Sequence, residues 1–276
     1  MTNTSTTDST FTRRISIMSL CLAATTFLIA NTALADQAAK DRGLEIATAV
    51  QAQDDGFGDT VSAMTMTLIN RAGKKSIRRI RSRILEVPGD GDKSMTIFDE
   101  PADVKGTASL TYSHATEADE QWLFLPALKR VKRISSKNKS GPFMGSEFAF
   151  EDISSQEVEK YNYTYLGDES IDGITVHKIE SIPTYKHSGY TRLINYVDTD
   201  RLVPIKTEFF DRKNAPLKTL TVSEYEQYLG KYWRAGKMEM ENHQTGKRTI
   251  LTWSDYSFQT GMTAKDFNSK SLKRLR

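Results

Sequence analysis

The stretch Val61–Gly73, VSAMTMTLINRAG, decides the fold. Val61, Ala63, Thr65, Thr67 and Ile69 alternate with Ser62, Met64, Met66 and Leu68. A period of two is the signature of a β-strand, whose successive side chains point to opposite faces. Asn70-Arg71-Ala72-Gly73 then supplies turn chemistry, with an Asx side chain to bond the bend and a glycine to close it. The same pattern continues downstream and predicts strands over 75–87, 92–99, 107–113, 119–125, 129–135, 160–168, 173–182, 189–198, 203–212, 216–228, 231–241 and 247–254. Separators such as Gly89-Asp90-Gly91, Asp172-Gly173 and Thr245-Gly246 are turn formers. So many consecutive antiparallel strands imply a long meander or barrel.

Before this run the period is helical. Leu44, Ala47 and Val50, with Ile46 beside them, predict an amphipathic helix from Asp36 to about Gln53, stopped by Asp54-Asp55-Gly56. Further upstream, Arg13 and Arg14 precede an apolar stretch from Ile15 to Ala30, and Ala33-Leu34-Ala35 offers small residues for cleavage after Ala35. This reads as a secretory signal peptide over 1–35, leaving one domain over 36–276. The only cysteine, Cys21, would leave with it, so the mature chain has no disulfide or thiol chemistry. The net charge of +3 does not suggest a dedicated nucleic-acid binder.

Several strands are apolar on both faces. Gln121-Trp122-Leu123-Phe124-Leu125 has no polar parity after Gln121. An antiparallel sheet with one wet face alternates apolar with polar, so here both faces need cover. Ser140–Ser154, SGPFMGSEFAFEDIS, sets Phe143, Met144, Phe148 and Phe150 among glycines and a proline. Two readings stay open for it: a movable flap with a helical turn starting near Glu147 and capped by Ser146, or a fixed core plug. In the helical turn Phe150 would face away from Phe148.

Little points to an enzyme. His114, His177, His187 and His243 occur singly, without the spacing of a metal site. No nucleophile elbow or phosphate-cradling glycine loop occurs. Asp99-Glu100 and Glu151-Asp152 are the candidate carboxylate pairs, and solvated or capping roles explain both. Neither a metal nor a cofactor is expected. Two basic runs stand out: Arg79, Arg81 and Arg83 on one strand face, opposite in parity to Arg78, and Lys129, Arg130, Lys132 and Arg133 on a later strand. They read either as solvated faces that guard against edge aggregation, or as contacts for anionic headgroups or an acidic partner.

Three stretches, Met95–Leu110 (MTIFDEPADVKGTASL), Gln121–Ser135 (QWLFLPALKRVKRIS) and Gly141–Ile153 (GPFMGSEFAFEDI), resemble in that order the outer-membrane lipoprotein-sorting protein family of the LolA/LolB superfamily. The match is nearer to the branch found beside RND-type lipid transporters than to LolA itself. The resemblance implies a mainly β fold of α+β type, an incomplete, unclosed antiparallel β-barrel with helices over its concave face. It implies a periplasmic carrier of lipid or lipoprotein acyl chains, partnered by an RND-type inner-membrane transporter and making transient membrane contact. The alternative it implies is a periplasmic lipid- or lipoprotein-sensing regulatory module. Such a cavity or flap would use Met64, Met66, Trp122, Phe124, Phe143, Met144, Phe148 and Phe150, the methionines giving an adaptable wall. An arginine that latches the lid matters in LolA, and Arg79, Arg81 and Arg83 are its candidates here.

Overall fold

The structure is a computed structural model that describes residues 1–2 and 34–274. Residues 3–33 of the expected signal peptide, with Arg13, Arg14 and Cys21, lie outside the described residues. The first element is a helix over 34–54, α1. Thirteen strands follow: β1 Asp59–Ile69, β2 Lys75–Leu85, β3 Lys93–Glu100, β4 Ala108–Tyr112, β5 Glu120–Leu125, β6 Arg130–Ile134, β7 Tyr161–Ile171, β8 Ile174–Pro183, β9 Tyr190–Asp198, β10 Pro204–Asp211, β11 Pro216–Tyr228, β12 Tyr232–Asn242 and β13 Arg248–Phe258. All belong to one antiparallel sheet in the order β6-β5-β4-β3-β2-β1-β13-β12-β11-β10-β9-β8-β7, which does not close. The expected strands stand at these places, since alternation and turn chemistry act over a few residues and carry across each hairpin.

Register assigns the faces. Met64 lies opposite Ile80, and Ile80 opposite Phe98, and all three are buried on what we call the inner face. Arg81 and Arg83 lie opposite Ile97 and Met95, on the outer face. Both faces are covered, as the doubly apolar strands require. On the outer face Phe267 and Leu272 of the C-terminal segment pack onto Met95, Ile97, Leu110 and Phe124. On the inner face the cover has two parts, α1 over β7–β9 and the connection 135–160 over the middle. That connection is dictated by topology. β6 and β7 occupy opposite edges of the sheet, so the chain between them has to cross a face. Among the described residues α1 is the one α-helix; the rest of the expected helical cover consists of short 3₁₀ turns.

The helix buries Gly43, Ile46, Ala47 and Val50 to differing degrees, while Leu44, expected on that face, is 48% exposed. Gly43 takes the contact instead: a Cβ there would stand 2.9 Å from the Tyr165 backbone nitrogen. Helix and strand meet backbone to backbone, which only glycine allows.

Candidate functional site

The crossing segment places Phe143, Phe148 and Phe150 on the inner face together, with Phe143 and Phe148 2% and 3% exposed. The Phe143 ring stands edge-on to Phe150 at 5.4 Å and 6.1 Å from Phe98. The helical-turn expectation, in which Phe150 faced away, is corrected. Met144 adopts a left-handed conformation at φ 50°, and two short 3₁₀ turns replace one helix. A small bridge joins Pro142 to Ala149, with the Phe143 amide donating to the Phe148 carbonyl at 2.7 Å. Ser146 does not cap a helix; its hydroxyl donates to the Phe143 carbonyl at 2.7 Å.

Polar anchors fix the segment from below. Lys218 donates to Asp152 at 2.6 Å and to the Glu147 carbonyl at 2.9 Å, and the Lys218–Asp152 pair is buried on both sides. Tyr190 donates to the other Asp152 oxygen at 2.7 Å. Glu151 accepts from Tyr185, Ser188 and the Gly189 amide. Burial raises its carboxyl above the ordinary value despite those donors. Asp119 accepts from Lys139 and Lys160, tying together the two ends of the crossing. Burial alone would raise Asp119, but the two lysines hold it below the usual carboxylate range. The arginine that holds the segment is Arg78, outside the expected set. It lies opposite Met66 on the inner face, above the Phe98 ring, and donates to the Met144 carbonyl. Burial lowers its guanidinium from the usual value.

Two hollows flank this segment at opposite ends of the strands. One, about 780 Å³, lies beneath α1, bounded by β7–β9 and the turns at 86–92 and 155–159. Its apolar wall includes Val50, Phe57, Tyr163, Ile179, Leu193 and Val197. Asp54, Asp55, Glu86, Asp90, Asp92, Glu157 and Glu159 also line it, and no lysine, arginine or histidine does. Burial, reinforced by Glu157, Asp54 and Glu86, pushes the Asp92 carboxyl up to about 7. The other hollow, about 630 Å³, has basic residues at its edge, among them Arg212, Lys213 and Lys247. Tyr190, at the start of β9, lines the second hollow and Val197, near its end, lines the first.

The residues singled out in the sequence are distributed differently from the cavity. Met64, Met66, Phe143, Phe148 and Phe150 are core, Met144 packs against them, and Trp122 and Phe124 lie with the outer-face cluster. None of the eight lines the acidic hollow. Arg79 and Arg81 pair with Glu100 and Asp99, Arg133 with Glu120, and Arg83 faces Asp266. Lys129, Arg130 and Lys132 are exposed on and beside β6, an edge strand. Both candidate carboxylate pairs, Asp99-Glu100 and Glu151-Asp152, are engaged by neighbours. The described residues contain no cluster able to hold a metal ion, and no helix long and apolar enough to cross a membrane. Sequence reasoning missed the cavity because its wall is assembled from distant segments; Arg78 carried one signal, its inner-face parity with Ile80.

A family model described as an uncharacterized protein matches residues 90–274. A protein from Vibrio parahaemolyticus described as an outer membrane lipoprotein-sorting protein domain is 57% identical, with a TM-score of 0.84, covering 85% of this chain and 100% of its own. A DUF1329 family protein from Desulfovibrio piger is 30% identical with a TM-score of 0.81, covering 85% of this chain and 99% of its own. A LolA superfamily protein from Nitrosomonas europaea shares the fold at 20% identity and a TM-score of 0.63, covering 84% and 97%. No curated protein matches.

Proposed function

Because the chain belongs to the LolA-like outer-membrane lipoprotein-sorting family, we propose that it is a periplasmic carrier of lipid or lipoprotein acyl chains. The carrying observation is the hollow of about 780 Å³ beneath α1, within the range of about 300–1,000 Å³ of pockets that bury a small-molecule ligand. Its wall of Val50, Phe57, Tyr163, Ile179, Leu193 and Val197 offers apolar surface to a chain. Each methylene transferred from water contributes about 0.8 kcal/mol. The crossing segment with Phe143, Phe148 and Phe150 acts in this reading as the fixed wall behind the ligand. The helix, seated on Gly43 and Ile46, is the part that yields.

A carrier that holds a chain this well needs help to release it, and an RND-type inner-membrane transporter is the partner proposed for loading. The signal peptide over 1–35 and export to the periplasm belong to the same reading. Mass spectrometry of an organic extract of protein purified from a membrane-containing host tests it directly. Bound lipid, together with uptake of a fluorescent fatty alcohol, is expected. An empty extract with no uptake would overturn the carrier.

A further inference from the structure

The cavity beneath α1 has a chemistry that a simple acyl-chain slot does not need. Its charged residues are all carboxylates, without a cation among them. Glu157 is the most telling. It lines the cavity, is only 5% exposed, and no hydrogen bond or ion pair reaches its carboxyl group. A carboxylate held out of bulk water with no cation against it is costly, and a positively charged ligand entering the cavity would supply the missing counter-charge. Its nearby cation, Lys160, is committed to Asp119. Asp92, half-buried beside it, has one long contact of 3.4 Å from the Val87 amide and carboxylates as its charged neighbours. Burial raises both carboxyls, and a cation arriving from the cavity would relieve both at once.

We propose that this cavity takes an amphiphile whose headgroup carries a positively charged ammonium group, bound by the carboxyls of Glu157 and Asp92 while its chain lies along Tyr163, Ile179 and Val197. The inference rests on the carrier reading and deepens it by naming the headgroup class. It runs against the overall charge of the protein, a net +3. Non-specific attraction would favour an anionic amphiphile, so preference for a cation reports the local field of the cavity.

The test uses four probes on the folded protein, all below their micelle concentrations: tetradecyltrimethylammonium, tetradecanol, tetradecanoate and tetramethylammonium. Binding is followed by calorimetry at neutral pH. The cationic chain is expected to bind at least about tenfold more tightly than tetradecanoate, with tetradecanol between them. Tetramethylammonium, the head without a chain, is expected to bind at least about tenfold more weakly than the full amphiphile. In the double variant Glu157→Gln, Asp92→Asn, the cation-to-anion ratio should fall towards one, with tetradecanol showing that the cavity is still formed. Tetradecanoate binding as tightly as the cation overturns the headgroup assignment and leaves the carrier standing. Equal binding of tetramethylammonium assigns the site to small ammonium cations and overturns the amphiphile. No binding by any chain-bearing probe removes the carrier reading and the assignment with it.

Discussion

The crossing segment and the helix cover the same face of the same sheet, yet they do so by opposite means. Residues 140–154 sink three phenylalanine rings into the core and are pinned by the buried Lys218–Asp152 pair, by Arg78 and by three donors on Glu151. The helix sets a glycine on bare backbone, buries Ile46 fully, and is tied mainly near its end, where Gln53 donates to the Lys231 carbonyl at 3.3 Å and Arg234 pairs with Asp54. The first cover fills its space; the second leaves the cavity. Local stability follows buried apolar contacts and satisfied polar groups, so in the proposed carrier reading the helix is the cover that yields, although the glycines of the other segment suggested the reverse.

The largest effect that could break this contrast comes from the crossing segment. Lys218→Met strands the buried Asp152 and should cost about 3–5 kcal/mol, and Phe148→Ala should cost a similar ~3–5 kcal/mol through its cavity. Chemical denaturation checks both; losses below about 1 kcal/mol would mean that the segment is not fixed. Next comes Gly43→Val. A side chain there meets the backbone of Thr164 and Tyr165, so α1 must lift, at about 1–3 kcal/mol. Uptake of a fluorescent fatty alcohol should change more in this variant than in any crossing-segment variant that still folds.

A smaller effect tests the cavity through pH. The Asp92 carboxyl titrates near 7 in the fold against about 3.9 unfolded, so its protonated form is favoured by folding. Its contribution is complete below about pH 4 and is lost as pH rises towards 7. Asp92→Asn should therefore gain on the order of 1 kcal/mol relative to the parent at pH 8 but not at pH 4, after discounting for solvent in the cavity. Melting curves at both values decide it, and an equal gap at the two would refute the burial of a lone charge. Smallest of all, Arg79→Ala should cost under about 1 kcal/mol, since its pair with Glu100 is exposed.

Much of this molecule is legible in its sequence because the relevant rules are local. Strand periodicity from Val61 onward, the turns and the doubly apolar run at Gln121–Leu125 reappear in the sheet and its two covers. The crossing was legible as an anomaly, four large apolar residues among glycines, but not its geometry. That depends on a left-handed Met144 and on partners such as Lys218 and Tyr190, distant in sequence. Parity placed Arg78 away from Arg79, Arg81 and Arg83, yet what it holds, the Met144 carbonyl, lies 66 residues on. The cavity was the least legible feature. Its wall joins α1, two turns and three strands, and no local pattern marks a carboxyl such as Glu157 as lacking a partner.

The sheet order has a consequence for how the chain finds this structure. β1 pairs with β13 at the middle of the sheet, Met64 opposite Trp253, while every other neighbouring pair is consecutive in sequence. Two meanders, β1–β6 and β7–β13, can therefore zip up hairpin by hairpin, each from nearby residues. The seam between them demands closure of a loop that holds all eleven other strands, whose entropy must be met before the contact is rewarded. Folding should then show two early, separable units and one late joining step, with the seam as the last backbone hydrogen bonds to gain protection from exchange. Pulse-labelled hydrogen exchange would see it directly: protection in β10–β12 ahead of protection across Thr65 and Thr252.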